Sequence, residues 1–167
     1  KERELEIQEI SVEQFAIGVA ATVDNRIRSA NIHFNCAFEP GLANIEIDPG
    51  LIRSALVNIL ENAMEACIDD PGEKEFQIDF HVRQTDKEIQ FDITDNGSGM
   101  DENQKKKIFT IFYSTKGSKG TGLGLFIANK AVQKHGGYIS VDSEPGKGTT
   151  FHIRLPLKVS HENVQSD

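Results

Sequence analysis

An aspartate stands where an alternating, strand-like pattern gives way to a glycine-containing turn. Asp95 has the same parity as Ile89 and Ile93, so its carboxylate is expected to point toward the apolar layer at the strand's end. The sequence that follows, 96–99 (Asn-Gly-Ser-Gly), is backbone that can pass close to a flat ligand. A carboxylate placed here can accept a hydrogen bond from the amino group of adenine. Taken alone, the segment favours the alternative, an ordinary Asp-Asn-Gly hairpin turn.

Two asparagines lie one helical turn apart in a segment with helical periodicity. Asn58 and Asn62 are at positions i and i+4, so their side chains lie on one face of the predicted helix. Amide oxygens are hard, neutral ligands that suit Mg²⁺ when phosphate oxygens and waters complete its shell. The alternative is a polar surface face, which a pair of helical asparagines more often forms.

A glycine-rich stretch leads directly into a third predicted helix. Residues 117–125 hold four glycines, and the following helix is apolar on one face. Backbone N–H groups of such a loop, together with a helix N-terminus, can bind phosphate; a flexible loop is the alternative. Neither a Walker A sequence nor a dinucleotide fingerprint is present. Hydroxyl groups and positive charge are close by, on Ser114, Thr115, Lys116 and Lys119.

The charge distribution disfavours some partners and permits others. The 167-residue chain has 26 acidic residues against 18 Lys and Arg, a net charge of −8, which argues against a nucleic-acid strand or an anionic membrane surface as partner. The segment Asn103–Lys134 nevertheless contains seven lysines and neither Asp nor Glu. This local basic segment can neutralise a small polyanion such as a triphosphate, whose charge is about −4.

Hydrophobic periodicity predicts the elements that position these residues. A capping pattern at Ser11 and Gln14 starts a first helix, and Asp48 followed by Pro49 starts a second. The whole pattern indicates an α+β two-layer sandwich, with half-buried strands and helices packed on one face. Predicted helices span 11–29, 48–68 and 122–135, and predicted strands span 32–38, 45–47, 76–82, 89–95, 138–143 and 149–155.

Taken together and in this order, the motifs resemble the ATP-binding catalytic domain of bacterial sensor histidine kinases, in the superfamily that includes gyrase, Hsp90 and MutL. The resemblance covers about residues 10–157. It implies a Bergerat-type ATP-binding fold with a mixed, mostly antiparallel sheet and a mobile ATP lid over 101–121. The matching segments are 56–63 (asparagine box), 95–99 (first glycine box), 108–112 (phenylalanine box), 114–116, 120–125 (second glycine box) and 145–151.

The resemblance also implies roles for single residues. Asp95 would bind the adenine amino group with Thr149 beside it, Asn62 would coordinate Mg²⁺, and Asn58 would lie near the phosphates. Phe109 and Phe112 would anchor the hinge of the lid. The residues expected to be catalytic are Asn58, Thr115 and Lys116. Further nucleotide contacts are expected from Gly97, Gly99, Gly120, Thr121, Gly122, Leu123 and Gly124.

Asn58 also bears on the type of reaction. Hydrolysing branches of the superfamily resemble one another in placing a water-activating glutamate at this position, and an amide cannot act as a general base. Asn58 therefore favours phosphoryl transfer to histidine, which depends mainly on positioning and charge neutralisation. Glu61 lies about 60° around the same helix and is an alternative base, although an exposed or hydrogen-bonded glutamate is the commoner state.

The phosphoacceptor histidine is not identified in this sequence. His161 and Glu162 lie in a polar tail, and we assign this pair to chance. We expect residues 1–6 to end the helix of a dimerisation and phosphoacceptor domain, 7–158 to form the catalytic domain, and 159–167 to form a flexible tail. We also expect a cytoplasmic domain that is monomeric by itself, with a response regulator as downstream partner and no contact with nucleic acid or membrane.

Three alternatives remain open at this level. They are an anti-sigma-type serine kinase, an ATP-hydrolysing clamp of the same superfamily, and a binding module that senses nucleotide without catalysis. Asn58 argues against the clamp. The presence of Asp95 and Asn62 together with the lid glycines argues against a degenerate binding module.

Overall fold

In the computed structural model, which describes residues 4–110 and 123–157, seven strands form two sheets beside the helices. The elements in chain order are β1 (Gln8–Ser11), α1 (Val12–Ser29), β2 (His33–Phe38), β3 (Asn44–Ile47), α2 (Pro49–Ile68), β4 (Gln77–Gln84), β5 (Glu88–Asp95), α3 (Glu102–Lys107), α4 (Gly124–Lys134), β6 (Tyr138–Glu144) and β7 (Gly148–Pro156).

The larger sheet has the strand order β2-β4-β5-β7-β6. Its β2–β4 pair is parallel, and its other three pairs are antiparallel. The short strands β1 and β3 form a separate antiparallel pair. The predicted α+β class and mixed, mostly antiparallel sheet are therefore confirmed.

Local signals fix where the first two helices begin. The Ser11 side chain accepts a hydrogen bond from the Gln14 N–H at 3.3 Å, so Ser11 caps α1 and the helix itself begins at Val12. Asp48 caps α2 by accepting from the Leu51 N–H at 3.1 Å, and Pro49 occupies the first turn.

Strand alternation divides the larger sheet into an apolar and a polar face. The residues Phe80, Phe91 and Phe151 are fully buried on the face that packs against α1, α2 and α4. Charged residues alternate with them on the opposite face, among them Asp92 and His152. The core is thus a single layer between the sheet and its helices, which matches the predicted sandwich.

The structure contains two elements, β1 and α3, that the sequence patterns did not predict. Strand β1 is only four residues long and its burial pattern shows no alternation, so its sequence carries no period-2 signal. Helix α3 lies in the segment predicted as part of the polar lid. It begins with a reciprocal capping box, in which the Asp101 side chain accepts from the Gln104 N–H and the Gln104 side chain accepts from the Asp101 N–H.

At the N-terminal end, residues 4–7 carry no helix, and the Glu6 N–H donates to the Asp48 carboxylate at 3.0 Å. The assignment of residues 1–6 to a dimerisation helix stays a prediction, as does the tail over 159–167. Within 4–110 and 123–157, no helix is both long and apolar enough to span a bilayer.

Candidate functional site

The carboxylate of Asp95 is buried at the end of β5. The residue is 3% exposed, and its Oδ1 accepts a hydrogen bond from the Gly97 N–H at 2.8 Å. Its Cα partners are Ile78 on β4 and Thr149 on β7. Asp95 therefore forms an Asx-type turn between β5 and α3, which is not the hairpin turn considered from the sequence. Its burial agrees with the predicted inward parity, and its contact with adenine stays a prediction.

Asn96 connects the same turn to the start of β4 by hydrogen bonds. Its Oδ1 accepts from the Gln77 N–H at 2.8 Å, and its Nδ2 donates to the Glu75 carbonyl at 2.9 Å. Sequence analysis assigned this asparagine no role beyond the turn. Its two bonds fix the backbone on which Asp95 sits.

The glycines after Asp95 are required first by protein backbone. A Cβ on Gly97 would lie 2.5 Å from the carbonyl oxygen of Ala66 on α2. Gly99 has φ +68°, and a Cβ there would overlap the carbonyl of Glu144 at the end of β6. The expected close approach is present, but its nearest partners are α2 and the β6–β7 hairpin, which the turn joins.

Asn58 and Asn62 are half-buried on one face of α2, as predicted. A Cβ added to Gly124 would lie 3.6 Å from the Asn58 Cγ, so the first residue of α4 lies beside the asparagine side chain. The cap of α4 is Leu123, whose side chain offers no acceptor to the first-turn N–H groups. The positive end of a helix and an amide side chain therefore meet at one place, which suits phosphate.

Glu61 contacts α1, whereas Asn58 lies beside α4. Its Oε1 accepts a hydrogen bond from the Arg26 Nη2 of α1 at 3.1 Å, and both side chains are partly exposed. This contact agrees with the predicted hydrogen-bonded state of Glu61. Sequence analysis did not find Arg26 as its partner, because no local spacing relates residues on different helices.

Thr149 and Ser143 form a second polar group beside Asp95. Thr149 is 5% exposed, and its Oγ1 lies 2.8 Å from the Oγ of Ser143 on β6. Ser143 is not among the site residues predicted from the sequence, although its position within β6 gives a usable signal. It has the same parity as Ile139 and Val141, so it is a polar residue at an inward-facing position near a strand end.

Cys67 on α2 lies behind the turn. Burial and the nearby Asp95 carboxylate raise the pKa of its thiol to about 12, so the sulfur stays neutral. The thiol is 1% exposed, so it places a buried, neutral group on the helix side of the turn.

Part of the predicted site is not described. Thr115, Lys116, Gly120, Thr121 and Gly122 lie outside the described residues, as does Phe112. The described part of the predicted hinge is Phe109, whose ring packs edge-on against Phe151 with centroids 6.4 Å apart.

Comparison with known proteins agrees with this fold and site. Residues 47–159 match the family described as histidine kinase-, DNA gyrase B- and HSP90-like ATPase. The sensor histidine kinase ZraS of Klebsiella oxytoca is 32% identical over 162 residues, which cover 96% of this chain and 34% of that protein. Sporulation kinase E of Bacillus subtilis is 33% identical over 139 residues, which cover 83% of this chain and 18% of the relative.

Solved structures of histidine kinases contain a similar domain. The nucleotide-free catalytic domain of histidine kinase ThkA superposes with a TM-score of 0.79 at 28% identity, covering 92% of this chain and 99% of that one. Full-length ShkA in complex with AMPPNP gives a TM-score of 0.81 at 25% identity, covering 95% of this chain and 32% of that one.

The fold, the site and the matched span define an ATPase-type nucleotide-binding domain, and the chain belongs to the histidine kinase-, DNA gyrase B- and HSP90-like ATPase family. Within that family it is an ATP-binding catalytic domain of the sensor histidine kinase type. The chain spans 18% to 34% of the length of the two relatives described above.

Proposed function

We propose that this domain binds ATP with Mg²⁺ and transfers the γ-phosphoryl group to a histidine on a separate dimerisation domain. The observation that carries the proposal is the position of the Asn58 side chain beside Gly124, at the N-terminus of α4. It combines a site suited to phosphate with a side chain that cannot take a proton from water. Transfer to an imidazole nitrogen requires in-line positioning and charge neutralisation more than a protein base.

The proposed roles follow the predicted site. Asp95 accepts a hydrogen bond from the adenine amino group. Gly97 and Gly99 allow the turn that carries Asp95 to pack closely against α2 and the β6–β7 hairpin, beside the base. Thr149 lies beside Asp95. The phosphate end is bound by Asn58, Thr115, Lys116, Gly120, Thr121, Gly122, Leu123 and Gly124.

Asn62 is the proposed magnesium ligand. A single amide oxygen fits Mg²⁺, which usually keeps several waters and takes further ligands from the phosphates. The described residues contain no cluster of three or more His, Cys, Asp or Glu side chains that would form a protein cage for a metal, which agrees with this assignment. When bound, the ion would neutralise phosphate charge, while Asn62 would fix its place relative to α2.

The Arg26–Glu61 pair favours transfer over hydrolysis. A carboxylate that accepts a charged hydrogen bond from α1 is directed away from the role of a water-activating base. An ATP-hydrolysing clamp would need such a base, so the alternative has less support than the kinase.

We further propose a response regulator as the downstream partner and a cytoplasmic location, without membrane or nucleic-acid contact by this domain. The ThkA kinase, solved in complex with the response regulator protein TrrA, supports the first point at 27% identity and a TM-score of 0.77 over 94% of this chain. The domain by itself is proposed to be a monomer.

The proposal predicts ATP binding by the 167-residue chain without self-phosphorylation, because the acceptor histidine is expected on another domain. The test incubates the chain with γ-labelled ATP and Mg²⁺, with and without the dimerisation domain of the parent kinase. We expect acid-labile, base-stable label on the added domain only. Such label on the chain itself would contradict the proposal, and so would steady-state ATP hydrolysis that Glu61→Gln abolishes.

A further inference from the structure

Ser143 makes three polar contacts next to the proposed adenine site. Its Oγ accepts from the Met100 N–H at 2.8 Å, donates to the Gly148 carbonyl at 3.0 Å and lies 2.8 Å from the Thr149 Oγ1. Ser143 is 8% exposed and Thr149 is 5% exposed. The group is therefore shielded from water and joins the turn after Gly99 to the β6–β7 hairpin.

Counting protons fixes the direction of the bond between the two hydroxyls. Ser143 has one hydroxyl proton, and the Gly148 carbonyl can only accept. All three contacts are hydrogen bonds in one arrangement only: Ser143 donates to Gly148, and Thr149 donates to Ser143. If Ser143 donated to Thr149 instead, two oxygen acceptors would face each other at 3.0 Å.

This direction makes the Thr149 oxygen an acceptor toward its surroundings. Its one proton is committed to Ser143, so its lone pairs are what it offers to a ligand. Thr149 is the Cα partner of Asp95 across β5 and β7, and directly opposed residues of antiparallel strands project on the same side. Two acceptor groups therefore lie together at the inner end of the site.

We propose that Ser143 is a positioning residue that orients the Thr149 hydroxyl as an acceptor, so that the site selects 6-aminopurine over 6-oxopurine nucleotides. This inference rests on the proposed function, because it assumes that the base binds at Asp95. An amino group at C6 can donate to both acceptors. An oxo group there is itself an acceptor and leaves them without a donor.

The test compares ATP with ITP, which replaces the 6-amino group by an oxo group. Calorimetric titration of the full chain with each nucleotide and Mg²⁺ gives the ratio of the two dissociation constants. We expect Ser143→Ala to lower the ratio of the ITP dissociation constant to the ATP dissociation constant by about fivefold to tenfold, which is the effect of one misdirected hydrogen bond. The reason is that the Thr149 hydroxyl, no longer bonded to Ser143, can turn and donate to the oxo group. Ser143→Thr, which keeps the hydroxyl, should retain the wild-type ratio.

Ser140→Ala is the matched control, because it is the same substitution at an exposed position of the same strand. It should leave the ratio unchanged. A Ser143→Ala variant that melts at a lower temperature but keeps the wild-type ratio would show a structural role only and would overturn the inference.

Thr149→Val tests the same step without altering Ser143. If Ser143 acts through Thr149, this variant should lower the ratio, and adding Ser143→Ala to it should lower the ratio no further. An unchanged ratio in Thr149→Val, or additive effects in the double variant, would overturn the inference. Failure of the wild-type chain to bind ATP would instead overturn the proposed function.

Discussion

Asp95 is a buried carboxylate at the end of β5, where the adenine base is proposed to bind. One oxygen accepts from the Gly97 N–H, and Cys67 supplies a neutral neighbour on the helix side. The residue is thus held rigidly by its own turn. A rigid, desolvated acceptor discriminates well between ligands, because a mismatched group cannot be compensated by water.

Asp95→Asn should weaken ATP binding. The amide retains one oxygen for the Gly97 N–H but replaces the other by a donor, which would face the adenine amino group. We expect about a 10- to 100-fold higher dissociation constant, the cost of losing a charged hydrogen bond. Titration with ATP and Mg²⁺ measures the change, and unaltered affinity would disprove the adenine assignment.

Asp86→Asn is the matched control for that prediction. Asp86 is exposed in the hairpin between β4 and β5, at the opposite end of β5 from Asp95. The same change of charge and shape at that position should leave ATP affinity unaltered.

At the scale of elements, a buried histidine joins α4 to α2. His135 is 1% exposed at the C-cap of α4, its Nδ1 donates to the Ala131 carbonyl at 2.7 Å, and its Nε2 accepts from the Asp48 N–H at 3.0 Å. The bond to Asp48 requires an unprotonated Nε2. Burial lowers the pKa of His135 below its usual value, so the neutral form is the folded form.

This linkage predicts acid sensitivity. The pKa of His135 is lower in the folded state than its unfolded value of about 6.5. Its contribution to the free energy of unfolding is therefore complete above about pH 6.5 and is lost as the pH falls below that value. Urea unfolding at pH 7.5, 6.5 and 5.5 should show stability falling by at most about 1.4 kcal/mol per pH unit from this one group. His135→Gln should be less stable at pH 7.5 and should depend less on pH.

His33 provides the control for this measurement, since it is an exposed histidine at the start of β2. His33→Gln should keep the wild-type pH dependence. Equal pH dependence of the wild type and His135→Gln would show that His135 is not responsible.

At the scale of the whole molecule, a charge network ties together the solvent-facing side of the sheet. Asp92 on β5 accepts from Arg83 on β4 and contacts His152 on β7, each at 2.7 Å, and it lies 3.0 Å from Arg154. His152 also contacts Asp142 on β6 at 2.9 Å. The network therefore crosses four adjacent strands of the sheet whose opposite face forms the core.

Asp92→Asn should destabilise the domain without changing the nucleotide site. Burial alone raises the pKa of Asp92, but hydrogen bonds from Arg83 and His152 and the charge of Arg154 bring it below its usual range. The stabilisation is present above the unfolded pKa of about 3.9 and is lost as the pH falls through the folded value. We expect a loss of about 1–3 kcal/mol at pH 7 by urea unfolding.

Asp79→Asn, on the same face of β4, is the comparison for this variant. Asp79 accepts hydrogen bonds from the neutral side-chain amides of Asn35 and Gln77. It forms no salt bridge with a residue in the described ranges, so a much smaller loss of stability is expected. Equal losses in the two variants would show that the cationic partners of Asp92 contribute little.

Most of the secondary structure follows from sequence patterns, and the misses have local causes. Ser11 and Asp48 carry side-chain caps, which gave the starts of α1 and α2 to within a residue or two. The capping box that starts α3 at Asp101 is readable in the sequence, but no apolar periodicity follows it to indicate a helix. Strand β1 has neither a cap nor alternation.

The direction in which the polar residues face, and the family of the chain, can be predicted from residue patterns alone. Parity placed Asp95 inward, i and i+4 spacing placed Asn58 and Asn62 together, and the order of the glycine motifs identified the family. Periodicity reports orientation within one element, which is why these predictions needed no contacts between elements.

The pairs of residues that lie together across different elements follow from the packing of the fold. It brought Gly124 to Asn58, Arg26 to Glu61, and Ser143 to Thr149. Such pairs depend on how helices pack and on the register of strands, and neither is encoded in the spacing of residues within one element. The acceptor character proposed for Thr149 arises at this level, since it follows from a hydrogen bond between two strands.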